Sequence, residues 1–134
     1  MKKNLYIFLL LFSVSLSSQV LSKSKIDFEN LYGKWIFLNY FEGKFESIDN
    51  LSIKDYQSNF GTPFEIFDKS GDFISDQGDY AEKGKFLLDR QNKILKKIYK
   101  VGDTIKVKIN YLDEKYLLLT RLNNYNYFYR KKSK

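Results

Sequence analysis

The chain has 134 residues, a length that suits a single domain with one modest hydrophobic core. It contains neither cysteine nor histidine, which excludes disulfides, zinc or haem ligation by Cys or His, and the Ser-His-Asp and Cys-His pairs of nucleophilic enzymes. Its 12 Phe, 11 Tyr and single Trp can each bury roughly 150–250 Å², so aromatic packing is expected to hold the core.

The beginning of the chain is typical of a secretory signal peptide. A basic start precedes an uncharged, largely apolar run, Leu5–Leu16. Twelve helical residues rise only about 18 Å, against about 30 Å of hydrocarbon, so the run predicts export and not a membrane span. We expect cleavage after Ser17 or Ser18, or later within Val20–Ser22, and assign residues 1–22 to the signal. The mature protein is then periplasmic or secreted and, having no cysteine, is not a Cys-anchored lipoprotein.

Residues 23–134 form the predicted mature domain, and its charge is unevenly placed. Residues 23–82 carry 6 basic and 12 acidic side chains, whereas residues 83–134 carry 15 basic and 4 acidic ones. This split predicts that the two complementary halves lie side by side in the fold. A surface that docks an acidic partner is the alternative interpretation.

The first predicted elements of the domain are a short helical turn and one strand. The strand covers Lys34–Phe41, which is rich in aromatic and branched residues. The next stretch, Glu42–Thr62, is the least regular part of the sequence, and a helix-start signal at Asp49-Asn50 predicts a short helix within it. The apolar residues of the turn are Ile26, Phe28 and Leu31, and those of the helix are Leu51, Ile53 and Tyr56.

Seven further strands, joined by short turns, are predicted from Pro63 onward. Gly84 interrupts the third of them and predicts a bulge or a bend. Within Ile105–Tyr111, apolar residues alternate with Lys106 and Lys108, the period expected of a strand with one dry face. Eight antiparallel strands in sequence predict an all-β, up-and-down barrel, whose closure leaves no exposed edge. The seven strands are Phe64–Phe67, Asp72–Ser75, Gly78–Leu88, Lys93–Val101, Thr104–Tyr111, Lys115–Leu122 and Tyr125–Lys131.

The alternation also predicts which side chains point into the barrel. This inward set either lines a cavity for a small apolar ligand or fills the core, and the sequence does not separate the two. It comprises Trp35, Phe37, Phe64, Ile66, Phe73, Phe86, Leu88, Ile105, Val107, Ile109 and Leu118.

Three motifs of the domain carry a resemblance to a known family. Gly33 and Trp35 form a G-x-W at the opening of the first strand, Phe67–Phe73 forms a hairpin, and Leu117–Arg121 precedes Tyr127–Lys131 as a closing pair of strands. With these motifs the mature chain resembles the lipocalin-like proteins, especially the short exported bacterial ones.

The resemblance implies a barrel whose first strand, opened by Gly33, carries a Trp that closes one end. It further implies that an Arg from a late strand packs over the indole of Trp35. Arg121 and Arg130 are the two candidates, of which we favour Arg130. For function, it implies that the barrel binds a small hydrophobic ligand. A filled barrel that docks a protein partner is the alternative hypothesis.

The sequence predicts no metal site, no cofactor and no nucleic-acid surface. Asp76 and Asp79 flank Gly78 and could offer oxygens to Ca²⁺, but their spacing is unlike an EF-hand loop and favours a plain turn. Lysines and tyrosines of the second half would suit single-stranded nucleic acid, an interpretation that the export signal opposes. They are Lys93, Lys96, Lys97, Lys100, Tyr125, Tyr127 and Tyr129. Without a catalytic motif, we expect a protein that is not an enzyme.

Overall fold

A computed structural model describes residues 26–52, 54, 56, 58–121 and 124–134. The predicted signal peptide lies outside these residues, and so do Ile53 of the expected short helix and Leu122 at the end of one predicted strand. Within the described ranges, no helix is long and apolar enough to cross a bilayer.

Within the described residues, eight antiparallel strands close into a single barrel. Each strand pairs with the next one along the chain, and the last strand returns to pair with the first. The predicted eight-stranded, up-and-down barrel is therefore confirmed. The strands are β1 (Gly33–Glu42), β2 (Phe64–Phe67), β3 (Asp72–Asp76), β4 (Ala81–Asp89), β5 (Ile94–Tyr99), β6 (Thr104–Leu112), β7 (Tyr116–Arg121) and β8 (Tyr125–Lys131), and two 3₁₀ turns cover Phe28–Leu31 and Ile48–Asn50.

The helix expected after Asp49-Asn50 does not extend to Tyr56. The 3₁₀ turn ends at Asn50, and Leu51 already has extended backbone, with φ −93° and ψ 142°. A helix this short lacks the hydrogen bonds that would offset its ordering entropy. Its position is fixed instead by a capping contact, in which the Ser47 hydroxyl accepts from the Asp49 N–H at 3.2 Å.

Two strands contain irregularities, and neither lies at Gly84. The pairing shifts in β1 between Phe37 and Asn39, and in β6 between Ile109 and Tyr111. Pairing of β4 with β3 and with β5 runs through Gly84 without a shift, so of the predicted bulge or bend the bulge is wrong. The glycine is needed for space, because a Cβ there would overlap the Ile98 carbonyl oxygen and lie 2.7 Å from a ring carbon of Phe73.

The apolar residues form two clusters, one inside the barrel and one on its outer wall. The inner cluster contains Trp35 and eleven other buried residues. The outer cluster is built on Leu38, Leu118 and Phe128 and is packed against Phe45, Ile48 and Leu51 of the chain after β1. The irregular stretch that follows β1 therefore covers an apolar patch of the barrel wall.

Leu118 was predicted to point inward, and this is wrong. Leu117 and Leu119 belong to the inner cluster, so period two places Leu118 on the outer face. It is nevertheless fully buried, because the outer cluster encloses it. Three consecutive leucines give no alternation from which the inward face could be chosen.

Phe64 and Ile66 are the other two residues assigned to the wrong face. Glu65 lies directly opposite Trp35, and residues opposite each other in an antiparallel pair share a face, so Glu65 and Phe67 point inward. Ile66 lies opposite Lys34 on the outer wall. The Nζ of Lys34 is 3.6 Å from the centroid of the Phe64 ring. The sequence pattern favours an acidic residue on the outer face, whereas the fold buries Glu65 and pairs it with Lys97.

Ion pairs join the acidic and basic halves of the domain. Glu29 pairs with Arg90 at 3.3 Å, Asp72 pairs with Lys85, and Glu65 pairs with Lys97 at 2.6 Å. In each of these three pairs the acid comes from residues 23–82 and the base from residues 83–134, whereas a further pair, Glu29 with Lys69 at 3.8 Å, lies within the first half. The structure agrees with the interpretation that the two halves lie side by side.

Candidate ligand cavity

One end of the barrel is closed around Trp35. The indole is fully buried, and its Nε1 donates a hydrogen bond to the Leu31 carbonyl oxygen at 2.7 Å. Leu31 ends the 3₁₀ turn Phe28–Leu31, which begins where the Asp27 carboxylate accepts from the Glu29 N–H at 3.0 Å. The turn is therefore fixed at both ends and lies against this end of the barrel.

The cation over the indole is Lys131 and not an arginine. Lys131 lies opposite Trp35 in the β1–β8 pairing, and its Nζ is 5.0 Å from the ring centroid. The same ammonium donates to the Asn30 carbonyl oxygen at 2.7 Å. Arg130 lies opposite Ile36 on the other face of the sheet. Arg121 is at the far end of β7, opposite Tyr125. The predicted type of contact occurs, but the expected register was one residue off.

The half of the interior next to Trp35 is filled. Its side chains are fully buried, and large aromatic rings meet edge to face, as Phe67 and Phe86 do with centroids 5.3 Å apart. Burial of such rings contributes most of the apolar stabilisation of a small domain. The fully buried members of the inner cluster are Leu31, Trp35, Phe67, Phe73, Leu95, Ile109 and Leu117.

The other half of the interior holds a cavity of about 420 Å³, which opens to solvent at the end of the barrel away from Trp35. None of the fully buried apolar residues just named lines it. Its apolar wall comes from Phe37, Ile105, Val107 and Leu119, with the ring of Tyr127 beside them. The same alternation thus produces a packed half and an unfilled half within one barrel.

The floor of the cavity is a buried ion pair. The Nζ of Lys97 donates to both carboxylate oxygens of Glu65, at 2.6 and 2.8 Å. The side chains are only 6% and 7% exposed. Lys97 also lies over aromatic rings, with its Nζ 5.3 Å from the centroid of Phe73. Such an ion pair costs desolvation energy, which the short contacts and the rings offset in part.

Hydroxyl and amide groups surround the ion pair. The Ser75 hydroxyl donates to Glu65 at 3.3 Å and accepts from the Gln77 side-chain amide at 3.0 Å. Burial raises the pKa of Tyr129 well above its usual range, and the nearby Glu65 acts in the same direction. Burial also raises the pKa of Tyr99, against the opposing charge of Lys97. Both phenols are therefore held protonated beside the pair, where Tyr129 donates to Glu65 and Tyr99 accepts from Lys97.

The rim of the cavity is formed by the chain between β1 and β2 and by the β3–β4 turn. Tyr56 lies edge to face on Phe37, with ring centroids 5.2 Å apart. Phe60 is 70% exposed. The carbonyl oxygens of Phe60 and Gly61 approach Gly78 so closely that a Cβ at Gly78 would lie 3.3 Å from the nearer one. The rim thus places exposed aromatic rings around a polar opening.

Comparison with known proteins identifies the architecture. No family model matches the chain, and no curated protein matches it significantly. Among solved structures, the crystal structure of a lipocalin-like protein from Bacteroides uniformis ATCC 8492 is similar to this chain, with a TM-score of 0.55 and 18% sequence identity. The match covers 77% of this chain and 99% of that one. The fold is lipocalin-like.

The side chains that were predicted to point inward lie in different parts of the lipocalin-like barrel. Phe37, Ile105 and Val107 line the cavity, and Phe64 also borders it although it lies opposite Ile36 on the outer face of β2. Leu88 is half-buried against the inner cluster, and Ile66 and Leu118 lie on the outer wall. The members that belong to the inner cluster and do not line the cavity are Trp35, Phe73, Phe86 and Ile109.

Sequence reasoning missed the polar floor, although a signal for it exists. Lys97 lies on the same face of its strand as Leu95 and Tyr99, and Glu65 lies on the same face as Phe67. Each charged side chain therefore shares a strand face with apolar residues. A charge in phase with the dry face of a strand predicts a buried charge, and a buried charge requires a partner. The pairing across 32 positions of sequence was not visible in either strand alone.

The residues considered for other ligands are separated in the lipocalin-like barrel. Lys97 is buried in the floor of the cavity that Tyr127 and Tyr129 also line, whereas Lys93 and Lys100 lie in turns, so the lysines and tyrosines do not form one exposed basic surface. Asp76 accepts from the Gly78 N–H at 2.7 Å, as in a turn. Among the described residues, no three carboxylates cluster closely enough to hold a metal ion.

Proposed function

We propose that this lipocalin-like barrel binds one small, largely apolar molecule in its cavity. The observation that carries the proposal is the unfilled half of the interior, about 420 Å³ with an apolar wall and a polar floor. Ligand pockets have volumes of roughly 300–1,000 Å³ and combine apolar lining with a few convergent polar groups. The cavity has both properties.

The volume sets the size of the ligand. At about 30 Å³ per water molecule of liquid, a cavity of about 420 Å³ accommodates roughly 14 non-hydrogen atoms. A molecule with one or two rings, or an alkyl chain of about ten carbons, fits this size. The opening at the rim, beside Tyr56 and Phe60, gives such a molecule a way in.

The same observation disfavours the alternative of a filled barrel that only docks a protein. Filling is complete around Trp35 but stops at the level of Lys97 and Glu65. Ser75 and Val107 contribute little volume at this level, so the larger rings do not meet across the barrel axis. In a cavity open to solvent the apolar wall is in contact with water, and an apolar ligand that displaces this water removes the wall from water.

Titration with N-phenyl-1-naphthylamine, an uncharged three-ring fluorophore whose outer ring would extend into the open rim, tests the proposal. We expect one saturable site per chain, with an emission increase and a blue shift as the dye leaves water. Native mass spectrometry of freshly purified protein should show one bound small molecule or one bound dye. Absence of a saturable signal in both measurements would contradict the proposal.

We also propose that the protein is exported and acts by binding and not by catalysis. Support comes from the basic and apolar start of the chain and from the lack of His and Cys. Intact mass of the protein recovered from a producing cell tests the export: we expect a chain that lacks its first 17 to 22 residues. A full-length chain in the cytosolic fraction would contradict it.

A further inference from the structure

The floor of the cavity carries two charges that cancel each other. Both oxygens of Glu65 lie within 2.8 Å of the Lys97 Nζ, and both side chains are more than nine-tenths buried. The inner end of a ligand would therefore arrive at a strong dipole with no net charge. An anion placed there is attracted by Lys97 and repelled by Glu65, and a cation meets the reverse.

A charged ligand group would also lose its hydration at this depth. Transfer of an ionised group out of water is costly unless a partner of opposite charge compensates for it. Here each partner is already used, because Lys97 and Glu65 neutralise each other. The floor therefore disfavours both a carboxylate and an ammonium.

A neutral hydroxyl or carbonyl finds suitable partners at the same place. The three protons of the Lys97 ammonium and the roughly four lone-pair sites of the Glu65 carboxylate are shared between the two side chains and their neighbours Ser75, Tyr99 and Tyr129. The Ser75 hydroxyl contacts Glu65 at only 3.3 Å, so a ligand hydroxyl can take its place. A hydroxyl can accept from the ammonium and donate to the carboxylate. Hydrogen bonds to ionised groups are roughly twice as strong as those between neutral groups.

Stability alone does not explain why the barrel contains the buried Glu65–Lys97 ion pair. Replacement of a buried ion pair by apolar residues of similar volume is often neutral or stabilising. A pair that faces an open cavity, with Phe37, Ile105 and Leu119 above it, places its polar groups where a ligand would meet them.

We propose that the cavity selects an uncharged amphiphile whose hydroxyl or carbonyl end points inward at the Glu65–Lys97 pair. Its apolar body lies along Phe37, Ile105 and Leu119 and reaches the tyrosines of the rim. This inference rests on the proposed function and specifies the chemical class of its ligand.

Competition on the wild-type protein tests the inference without any substitution. Bound N-phenyl-1-naphthylamine is displaced with decan-1-ol, decanoate or decan-1-amine at about pH 8, where the head group of decanoate is ionised and the amine is a protonated ammonium. The three share one alkyl chain and differ in the charge of the head. We expect decan-1-ol to bind at least about tenfold more tightly than either ion, a difference of about 1.4 kcal/mol.

Two variants test whether the Glu65–Lys97 pair determines which ligand head group the cavity prefers. In Glu65→Leu/Lys97→Met the floor becomes apolar, and we expect decan-1-ol to lose about tenfold in affinity while the dye, which has no hydroxyl, still binds. Lys96→Met is the matched control, because Lys96 is the neighbour of Lys97 on the outer wall. We expect it to bind decan-1-ol as the wild type does.

The outcomes separate the inference from the function on which it rests. If the wild-type protein binds neither the dye nor any competitor, the proposed function fails. If it binds the dye but prefers decanoate or the ammonium, the barrel is a ligand-binding protein and the inference is overturned. A crystal structure with decan-1-ol should place its oxygen within hydrogen-bond distance of Lys97 Nζ or Glu65. A hydroxyl that points to the rim would overturn the inference even if the double variant does not fold.

Discussion

The two halves of the barrel interior are built from the same alternating strands, but one half is filled with side chains and the other contains a cavity. Around Trp35 the interior is apolar and full, and the polar groups that close it are an indole N–H, a carbonyl oxygen and the Lys131 ammonium. Beyond Phe73, the interior holds an ion pair, a serine and a cavity of about 420 Å³. Since strand order and pairing are the same in both halves, the side chains at a few inward positions decide whether a barrel is filled or open.

The comparison indicates where stability and function lie in the molecule. The closed half supplies most of the buried apolar surface and hence most of the hydrophobic stabilisation. The open half combines a cavity with buried charges, and both are unfavourable for stability. Substitutions in the first should therefore change folding, and neutral replacements in the second should change binding.

The largest effect is expected for Trp35→Ala. This substitution removes a fully buried ring and leaves the Leu31 carbonyl oxygen without its donor. We expect a loss of about 3–5 kcal/mol in the free energy of unfolding, measured as a lower urea midpoint. A midpoint close to that of the wild type would show that the closed half does not hold the fold.

A second, smaller effect is expected for Lys97→Met in the open half. The substitution leaves Glu65 buried without its cation, and breaking such a pair costs about 3 kcal/mol. Replacing both residues, in Glu65→Leu/Lys97→Met, should restore the free energy of unfolding to within about 1 kcal/mol of the wild-type value, measured by urea denaturation. A double variant as unstable as the single one would mean that the ion pair itself stabilises the barrel.

Gly84→Ala tests how tightly the side chains pack where the filled half of the barrel meets the open half. Gly84 lies between Phe73 and Tyr99 in the sheet, and their rings meet edge to face with centroids 5.0 Å apart. An added methyl group would displace Phe73 and the backbone of Ile98, at an expected cost of about 2 kcal/mol. A wild-type urea midpoint would show that the two halves can move apart at this point without cost.

The smallest effect is expected from pH. Because the pKa of Tyr129 is raised by burial, the folded chain keeps this proton at pH values where the unfolded chain loses it, above about pH 10. The stabilisation is therefore complete below pH 10 and is lost as pH rises toward the folded pKa, by up to about 1.4 kcal/mol per pH unit.

Tyr129→Phe isolates this contribution from that of other tyrosines. Tyr111 acts with the same sign from the outer cluster, because its hydrogen bond to Asp113 raises its pKa to about 12. Tyr129→Phe should make the alkaline fall in the urea midpoint shallower and leave the contribution of Tyr111 unchanged. An equally steep fall in the variant would place the alkaline transition elsewhere in the chain.

Most of the fold could be predicted because it depends on local patterns. Alternation and turn residues located eight strands and their order, and each predicted strand overlaps an observed one. Errors arose where the local pattern carries no face information. In Phe64–Phe67 and in Leu117–Leu119, apolar residues occupy both faces, and burial of the outer one depends on distant chain segments.

The site was harder to predict because its chemistry comes from pairs of distant strands. Glu65 and Lys97 lie on β2 and β5, and Trp35 and Lys131 lie on the first and last strands. A shift of one residue in register distinguishes Lys131 from Arg130, and the sequence does not set that register. The apolar wall at Ile105 and Val107 was predicted, since there the alternation is unambiguous.

A matched pair of tryptophan substitutions tests most directly whether the open half of the barrel is a ligand cavity. Ile105 lines the cavity, whereas Ile98 lies on the opposite face of the neighbouring strand. Dissociation constants for N-phenyl-1-naphthylamine are measured for the wild type, Ile105→Trp and Ile98→Trp, each with its urea midpoint as a check of folding. We predict that Ile105→Trp weakens binding at least about tenfold and that Ile98→Trp leaves it unchanged. Equal affinity of all three proteins for the dye would contradict the account.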